Sequence, residues 1–285
     1  MSEMDSTVAA ACPPRTAGAP PGYDRSLRRA IADLSDGVRR WPLWWSLANS
    51  DILLRYRRSL LGPLWITVSM AIMIGALSAS YSLILHVAFR VYLPYVASGL
   101  IVWGFISSCI GDSCSIFIGN AGMIRLLALP KSALIYRCLW RNIVILAHNM
   151  VALLLCGPLM GLTLDWMMVG VLPGFFLLVM NLTWMMLLLA ILCARFRDVM
   201  QIVGCILQIT FLVTPILWKV EPGSVLAEVS ACNPIYLLIE IIRSPLLGHW
   251  PSASAWQGTL VCAAAGWAVT LVLFARYRWR ISYWV

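Results

Sequence analysis

Long apolar segments without a single charged residue recur along this chain. Six of them have about 20 residues or more, the length that a helix needs to cross the hydrocarbon core of a bilayer. The six segments are Ser59–Phe89, Val91–Gly111, Asn142–Leu164, Trp166–Ala194, Val199–Trp218 and Ala255–Ala275. This pattern predicts an all-α integral membrane protein in which residues 59–280 form six transmembrane helices.

A different pattern precedes the first apolar segment. Residues 1–24 are rich in Ala, Pro, Gly and Ser and predict a disordered arm. In residues 25–58, apolar and tryptophan side chains recur at helical spacing between charged ones, and the stretch ends in a basic run. A basic amphipathic helix with tryptophans is typical of a segment that lies in the membrane interface. An ordinary solvated helix is the alternative for this stretch.

The stretch between the fifth and sixth apolar segments contains two shorter apolar pieces, Ser224–Cys232 and Ile235–Leu247. Pieces of about 10–14 residues are too short to span a bilayer and are typical of re-entrant segments. Such segments are tolerated at membrane depth where protein packs around them. We therefore predict a re-entrant helical pair at residues 224–248, in which Glu240 and Arg243 can pair on one helix face.

Composition supports the membrane interpretation. Of the 285 residues, 61% are hydrophobic and 12% charged, against about 45–50% and about 25% in soluble domains. These values exclude a soluble globular enzyme. Nucleic-acid binding would need a basic face on a soluble domain, so we expect no nucleic-acid partner. The nine cysteines include no C-x-x-C pair, which predicts buried apolar residues and no metal site.

The net charge of +9 is distributed asymmetrically about the apolar segments. With the N-terminus inside, every Lys and Arg except Arg90, Lys219 and Arg243 falls in an inside segment. Inside loops carry the excess of cations in multi-pass proteins. The distribution therefore predicts that both termini lie inside.

Several motifs resemble those of one transporter family. They are Arg55–Trp65, Tyr92–Leu100, Asn120–Pro130, Trp140–Asn142, Ala147–Asn149, Arg195–Asp198 and Asn233-Pro234. In this order they are similar to motifs in the permeases of type-2 ABC exporters, and especially in the branch that exports O-antigen, capsule and teichoic acid chains. The resemblance covers residues 40–280.

The resemblance implies a homodimeric permease in the bacterial inner membrane that moves a lipid-linked polysaccharide outward, with membrane lipids around it. It also implies two separate ATP-binding subunits, which hold ATP and Mg²⁺. This chain has no phosphate loop of the form G-x-x-x-x-G-K-[ST], so we expect it to bind no cofactor and to catalyse no reaction alone. By resemblance, the loop after span two forms a coupling segment of Asn120, Ala121, Gly122, Met123, Ile124 and Arg125.

Three further groups of residues are candidates for substrate contact. A basic cluster just inside the membrane suits an anionic lipid headgroup, although topology alone explains it equally well. Aromatic side chains in the spans suit stacking on sugar rings, although lipid-facing or core positions are the ordinary alternative. The groups are a headgroup cluster (Arg55, Arg57, Arg58), channel aromatics (Tyr81, Trp103, Phe105, Trp184, Phe211) and a re-entrant gate (Asn233, Pro234, Glu240, Arg243).

Two other classes of function remain open. Asp112 is a carboxylate inside a predicted span, which favours a proton-coupled secondary transporter. It lies about 29 Å along a span that starts outside, however, and therefore near the inner surface. His148 could serve as a base in an integral membrane acyl or glycosyl transferase. A histidine in a span more often hydrogen-bonds another helix.

Overall fold

The computed structural model describes residues 26–57, 62, 64–127, 129–157, 165–219, 229–230 and 232–285. Within these ranges every regular element is a helix, as the apolar pattern predicts. The predicted arm at residues 1–24, Arg58 and most of the first re-entrant piece lie outside the described residues.

The helices follow one another with short connections. Ser26 and Ser252 cap two of them, because each side chain accepts a hydrogen bond from a backbone N–H three residues later. The helices are α1 (Leu27–Arg39), α2 (Trp41–Tyr56), α3 (Leu64–Ile84), α4 (Phe89–Ser113), α5 (Ile116–Gly119), α6 (Ala121–Leu126), α7 (Lys131–Cys156), α8 (Val171–Arg195, preceded by a 3-10 helix at Trp166–Gly170), α9 (Val199–Val213), α10 (Pro234–Leu246), α11 (Ala253–Tyr277) and α12 (Ile281–Trp284).

Four of the six predicted spans have helices long and apolar enough to cross a membrane: α3, α4, α8 with its 3-10 turn, and α11. The other two correspond to α7 and α9. The 26 residues of α7 include Lys131, Arg137 and Arg141 in its first half, so this helix starts well before the predicted apolar segment. The 15 residues of α9 extend roughly 22 Å, less than a hydrocarbon core of about 30 Å. The six-span count and the orientation therefore stay predictions.

Helix α4 lies at the centre of the fold. It contacts α3, α7, α8, α9 and α10, and its residues Tyr92–Trp103 are all buried. A helix surrounded by others buries its whole circumference, which explains a sequence that is apolar on every side.

Helices α1 and α2 both pack against α7, but with different faces. The buried face of α1 carries the small residues Ala30 and Gly37. The larger apolar side chains of Leu27, Ile31 and Val38 are exposed. An exposed apolar stripe beside membrane spans is what an interfacial helix presents to lipid. The position of this helix in the membrane interface stays a prediction.

The tryptophan-bearing stripe of α2 is divided between two environments. Trp44 packs against Tyr136 and Trp140 of α7 at centroid distances of 6.2 and 6.1 Å. Trp41 and Trp45 are exposed. Periodicity alone did not separate the tryptophan that anchors α2 to α7 from those left at the surface.

The second re-entrant piece forms α10, which contacts α4, α8, α11 and the 3-10 helix. Two glycines let its neighbours approach closely. A Cβ on Gly174 would lie 2.6 Å from the backbone oxygen of Ile241, and one on Gly258 would lie 2.5 Å from a methyl of Leu237. Small residues at helix contacts are typical of membrane proteins. Helix α10 is thus enclosed by protein, as a re-entrant segment must be.

Candidate functional site

The predicted coupling segment forms a short helix, α6, at the end of the molecule where α4 ends and α7 begins. Gly122 and Arg125 are exposed, Ile124 is buried, and Asn120 is half-buried in the turn before the helix. Ala121 and Met123 are also half-buried and pack against the core. The segment therefore has one face held by the protein and one face open.

Asn120 connects the segment to α7 and, through it, to α2. Arg137 Nη1 donates to the amide oxygen of Asn120 at 3.1 Å. The same guanidinium donates twice to Asp51, from Nη2 at 2.6 Å and from Nε at 2.8 Å. Such two-bond Arg–carboxylate contacts fix orientation as well as distance. Movement of Asn120 is thus connected to α2 through two adjoining hydrogen-bonded contacts.

A second arginine extends this cluster to α4. Arg141 Nη2 donates to Asp112 at 2.7 Å, and Nη1 lies 3.5 Å from Asp51. The amide of Asn142 also donates to Asp112, at 3.1 Å. We call this cluster the Asp51 network; it consists of Asp51, Asp112, Asn120, Arg137, Arg141 and Asn142.

The start of α7 is held separately by Asp33 of α1. Its carboxylate accepts from the backbone N–H and the hydroxyl of Ser132, at 3.1 and 2.9 Å. A carboxylate at a helix N-terminus accepts hydrogen bonds from free backbone N–H groups and interacts favourably with the positive end of the helix dipole. Arg278, just after α11, reaches the same carboxylate at 3.4 Å. Burial lowers the pKa of the neighbouring Lys131, which Asp33 partly offsets.

A cavity of about 750 Å³ lies between α1, the coupling segment, the start of α7 and the C-terminal residues. Its lining includes Asp36, Arg125 and Lys131. Arg125 also donates to the backbone oxygen of Val285. The open face of the coupling segment therefore borders a depression lined with charges of both signs.

Leu126, the last residue of α6, is a surface residue that sequence reasoning missed. Its side chain is 86% exposed, and Leu127 beside it is exposed as well. Two exposed leucines next to a polar depression are typical of a surface that a partner covers. The signal was available in the sequence, because both follow the coupling motif directly.

The headgroup cluster is described only in part. Arg55 and Arg57 are exposed at the end of α2, and Arg58 lies outside the described residues. Arg55 also lines a cavity between α3, α4 and α7. The structure therefore places one of the three arginines beside an interior space.

The five candidate channel aromatics do not form one surface. Trp103 and Phe211 lie together, 5.7 Å between ring centroids, where α4 meets α9. Phe105 packs on Phe175 at 6.3 Å. Trp184 packs on α11, where a Cβ on Gly266 would overlap its ring, and Tyr81 is half-buried on α3. Trp103 and Phe211 are thus the pair that the structure brings together.

The re-entrant gate residues hold the start and the middle of α10. Asn233 caps the helix by accepting from the N–H of Ile235 at 3.0 Å, and its amide donates to Thr214 at 2.9 Å. Pro234 occupies the first helical position, where the missing N–H costs nothing. Asn233 thus joins α10 to the end of α9.

Arg243 is the most enclosed cation of this region, with a relative exposure of 3%. It pairs with Glu240 at 2.7 Å, as predicted, and donates to the backbone oxygen of Pro215 at 2.7 Å. Its guanidinium lies 4.4 Å from the ring centroid of Tyr95, whose hydroxyl also donates to Pro215. We call this cluster the Arg243 latch; it consists of Tyr95, Pro215, Glu240 and Arg243.

The two residues that kept other functions open have local partners. Asp112 is paired with Arg141 in the Asp51 network. A ring nitrogen of His148 lies 2.8 Å from the backbone oxygen of Val144, one turn earlier in α7. Among the described residues, no three His, Cys, Asp or Glu side chains form a group that could hold a metal ion.

The helices and their apolar lengths define the class of this protein, a multi-pass helical membrane protein. Comparison with known proteins gives the family. The model of the ABC-2 type transporter family matches residues 42–247, so the chain belongs to the ABC-2 type transporter family. The resemblance drawn from the motifs is confirmed.

Two relatives are named as permeases of O-antigen export systems. O-antigen export system permease protein RfbA of Myxococcus xanthus is 24% identical over 212 residues, which cover 72% of this chain and 80% of that protein. The protein of the same name from Klebsiella pneumoniae is 27% identical over 88 residues, covering 31% and 34%. The second match therefore spans about a third of the Klebsiella relative.

Proposed function

We propose that this chain is the membrane subunit of an ABC exporter that moves a lipid-linked polysaccharide of the O-antigen type across the bacterial inner membrane. Family membership supports the permease role, and the two RfbA relatives support the type of cargo. Two copies of the chain assemble with two ATP-binding subunits, which bind ATP and Mg²⁺. The chain itself carries out no covalent chemistry.

The observation that carries this proposal is the double attachment of the coupling segment. One face is open around Gly122 and Leu126, while Asn120 is hydrogen-bonded through Arg137 to Asp51. An ATPase that displaces the open face moves α7 and α2 with it, because charge-assisted hydrogen bonds resist stretching more than apolar contacts do. The Asp51 network thus passes the ATPase movement to the helices at the membrane.

The cargo passes between two subunits in this proposal. Helices α3 and α9 leave much of their apolar surface exposed, including Ile72, Leu83, Ile206 and Leu212. Such surfaces suit lipid or a second subunit. The contact between Trp103 and Phe211 joins α9 to α4, so separation of two facing α9 helices also moves the central helix. Arg57 receives the anionic headgroup of the cargo at the inner surface.

The first experiment tests the ATPase partner. The chain is purified in mild detergent from its native membrane, and co-purifying proteins are quantified by mass spectrometry. We expect a subunit with a phosphate loop in about equal amount, lost when Leu126→Asp places a charge on the coupling surface. The proposal is wrong if the wild-type chain purifies without such a subunit.

Two control variants separate partner loss from misfolding. Leu126→Met keeps the apolar surface and should retain the partner. Gly204→Ala adds a methyl on α9, away from the coupling surface, where no atom lies within 4 Å, so it should leave both the fold and the partner in place. Monodisperse elution of every variant in detergent shows that the charge, and not unfolding, removed the ATPase.

The two other classes of function make different predictions for purified protein. A proton-coupled transporter would lose transport with Asp112→Asn while transport stayed independent of ATP. A transferase would turn over a donor substrate without a partner and lose that activity with His148→Ala. Glycan transport into inverted vesicles that requires ATP and the partner would oppose both alternatives.

A further inference from the structure

Two neighbouring cavities form one crevice inside the subunit, between α3, α4 and α7. They measure about 280 and 260 Å³ and share Met70, Ile101 and Asn149 in their linings. All their lining residues except Arg55 come from these three helices. The crevice is therefore complete within one copy of the chain, and the exposed Ile72 and Leu83 of α3 do not line it.

The crevice changes in character along its length. The half near the coupling segment has a mixed lining, in which the polar residues include Arg55, Ser69, Ser108 and Asn142. The other half is apolar and reaches Phe89, at the opposite end of α4. An exposed arginine at one end and hydrocarbon at the other match a membrane lipid with an anionic headgroup in charge and in direction.

Asn149 marks the boundary between the halves. Its side chain is 4% exposed, and its amide oxygen has no hydrogen-bond partner among the described residues. In a diacyl glycerophospholipid, the ester groups of the glycerol lie at the junction of headgroup and chain, and their oxygens accept hydrogen bonds. The N–H group of the same amide can donate to an ester oxygen at that level.

We infer that this crevice binds one anionic glycerophospholipid from the inner leaflet, with its phosphate at Arg55, its glycerol region at Asn149 and one acyl chain in the apolar half. Exposed Trp65 lines the polar half and exposed Phe89 lines the apolar half. A lipid can therefore enter sideways from the membrane. The apolar half cannot hold the sugar chain of the cargo, because its lining has no polar residue except Thr67 and Asn149.

Native mass spectrometry tests this inference. The full complex is equilibrated in nanodiscs of equal phosphatidylglycerol and phosphatidylethanolamine and then released into the gas phase. We expect one phosphatidylglycerol retained per copy of the chain in preference to phosphatidylethanolamine. Arg55→Ala and Asn149→Leu should each weaken retention about tenfold, which corresponds to about 1.4 kcal/mol.

A third variant fills the crevice without touching its polar groups. Gly75 lines the apolar half, and no atom lies within 4 Å of its Cβ position. Gly75→Leu should therefore fold normally and displace the acyl chain, with loss of the retained lipid. The matched control is Gly204→Leu on α9, which also has open space around it but lies outside the crevice. Arg28→Ala on α1 controls for the removal of an exposed arginine.

Three outcomes would overturn the inference. Equal retention of the two phospholipids would show that Arg55 selects no charge. Unchanged retention in folded Arg55→Ala, Asn149→Leu and Gly75→Leu would place the bound lipid elsewhere. A retained mass equal to the lipid-linked glycan would assign the crevice to the cargo. If the wild-type chain purified without an ATPase partner, the proposed function would be wrong. Lipid retention would then be measured on the chain alone, so the two failures are distinguishable.

Discussion

Two polar clusters at opposite ends of the helices use the same chemistry in different surroundings. In the Arg243 latch, the arginine is 3% exposed and pairs with one carboxylate on its own helix. In the Asp51 network, the Arg137 and Asp51 side chains are each 19% exposed, and two arginines share two carboxylates from three helices. One cluster is enclosed and local, while the other is partly hydrated and connects many elements.

The difference indicates what each cluster can do. A buried charge that leaves its single partner stays unpaired at a large desolvation cost. The Arg243 latch therefore fixes α10 against Pro215 and Tyr95. A partly hydrated pair adds little to the free energy of unfolding, while its two-bond geometry still fixes how α2 and α7 are joined. We therefore expect the latch to determine stability and the network to determine coupling.

Removal of Arg243 should have the largest effect. Arg243→Leu leaves Glu240, whose side chain is 23% exposed, without its cation. We therefore expect a cost below the value of about 3–5 kcal/mol for a fully buried pair. We expect a large loss of folded protein in detergent, measured by fluorescence-detected size exclusion after heating. The double variant Arg243→Leu with Glu240→Leu should recover part of the loss, because no charge is then unpaired. Equal losses in the single and double variants would show that the latch stabilises through packing alone.

Gly174→Ala should have the second-largest effect on stability, because the added methyl meets the backbone oxygen of Ile241 at 2.6 Å. Backbone cannot rotate away, and overpacking costs about 1–3 kcal/mol. We expect a lower melting temperature in detergent and increased protease cleavage near α10. Gly204→Ala, with open space around it, is the matched control. A Gly174→Ala protein as stable as this control would mean that α10 moves freely.

Asp51→Asn should change transport more than stability. The substitution keeps the shape of the side chain but removes the charge that pairs with Arg137 and Arg141. We expect a stability loss of about 1 kcal/mol, as for partly hydrated pairs, with the ATPase still bound. ATP-dependent glycan transport into inverted vesicles should fall several-fold. Asp198→Asn, which changes an exposed carboxylate just before α9, is the control. Normal transport by Asp51→Asn would remove the network from the coupling route.

The smallest effect concerns Lys131 at the start of α7, which lies before the predicted span. Burial lowers its pKa below the ordinary 10.5, with Asp33 opposing and Arg278 reinforcing the shift. The unfolded chain then holds this proton more tightly, so the contribution of Lys131 to stability rises with pH between the lowered pKa and 10.5. Lys131→Met should flatten the rise of melting temperature over that interval. Identical pH profiles would contradict the assignment.

Much of the fold follows from the sequence because hydrocarbon imposes simple rules. A chain in lipid must satisfy its backbone within each segment, so uninterrupted apolar runs have to be helices. The α10 helix was also predictable, because its apolar piece is too short to span and begins with Asn233 and Pro234. The pairing of Glu240 with Arg243 followed from their spacing on one helix face.

Other features depend on partners distant in the sequence. Aromatic residues in spans look alike in the sequence, yet Trp184 fills the gap at Gly266 while Trp103 meets Phe211. Asp51 and Arg137 are far apart along the chain, and neither was a candidate site residue until α2 folded onto α7. Asn149 belonged to a family motif. Only the structure shows that its amide oxygen is buried and has no hydrogen-bond partner among the described residues.

The sequence by itself therefore determined the class of the protein, the number of membrane-length apolar segments, the location of the short helix α10 and the family. These features depend on local composition and on ordered motifs, which the chain carries wherever it folds. The tertiary structure alone decided which polar residues meet, since the Asp51 network, the Arg243 latch and the crevice each combine residues from several helices. Contacts between distant residues depend on how helices pack, and close approach at single glycines such as Gly174 fixes that packing.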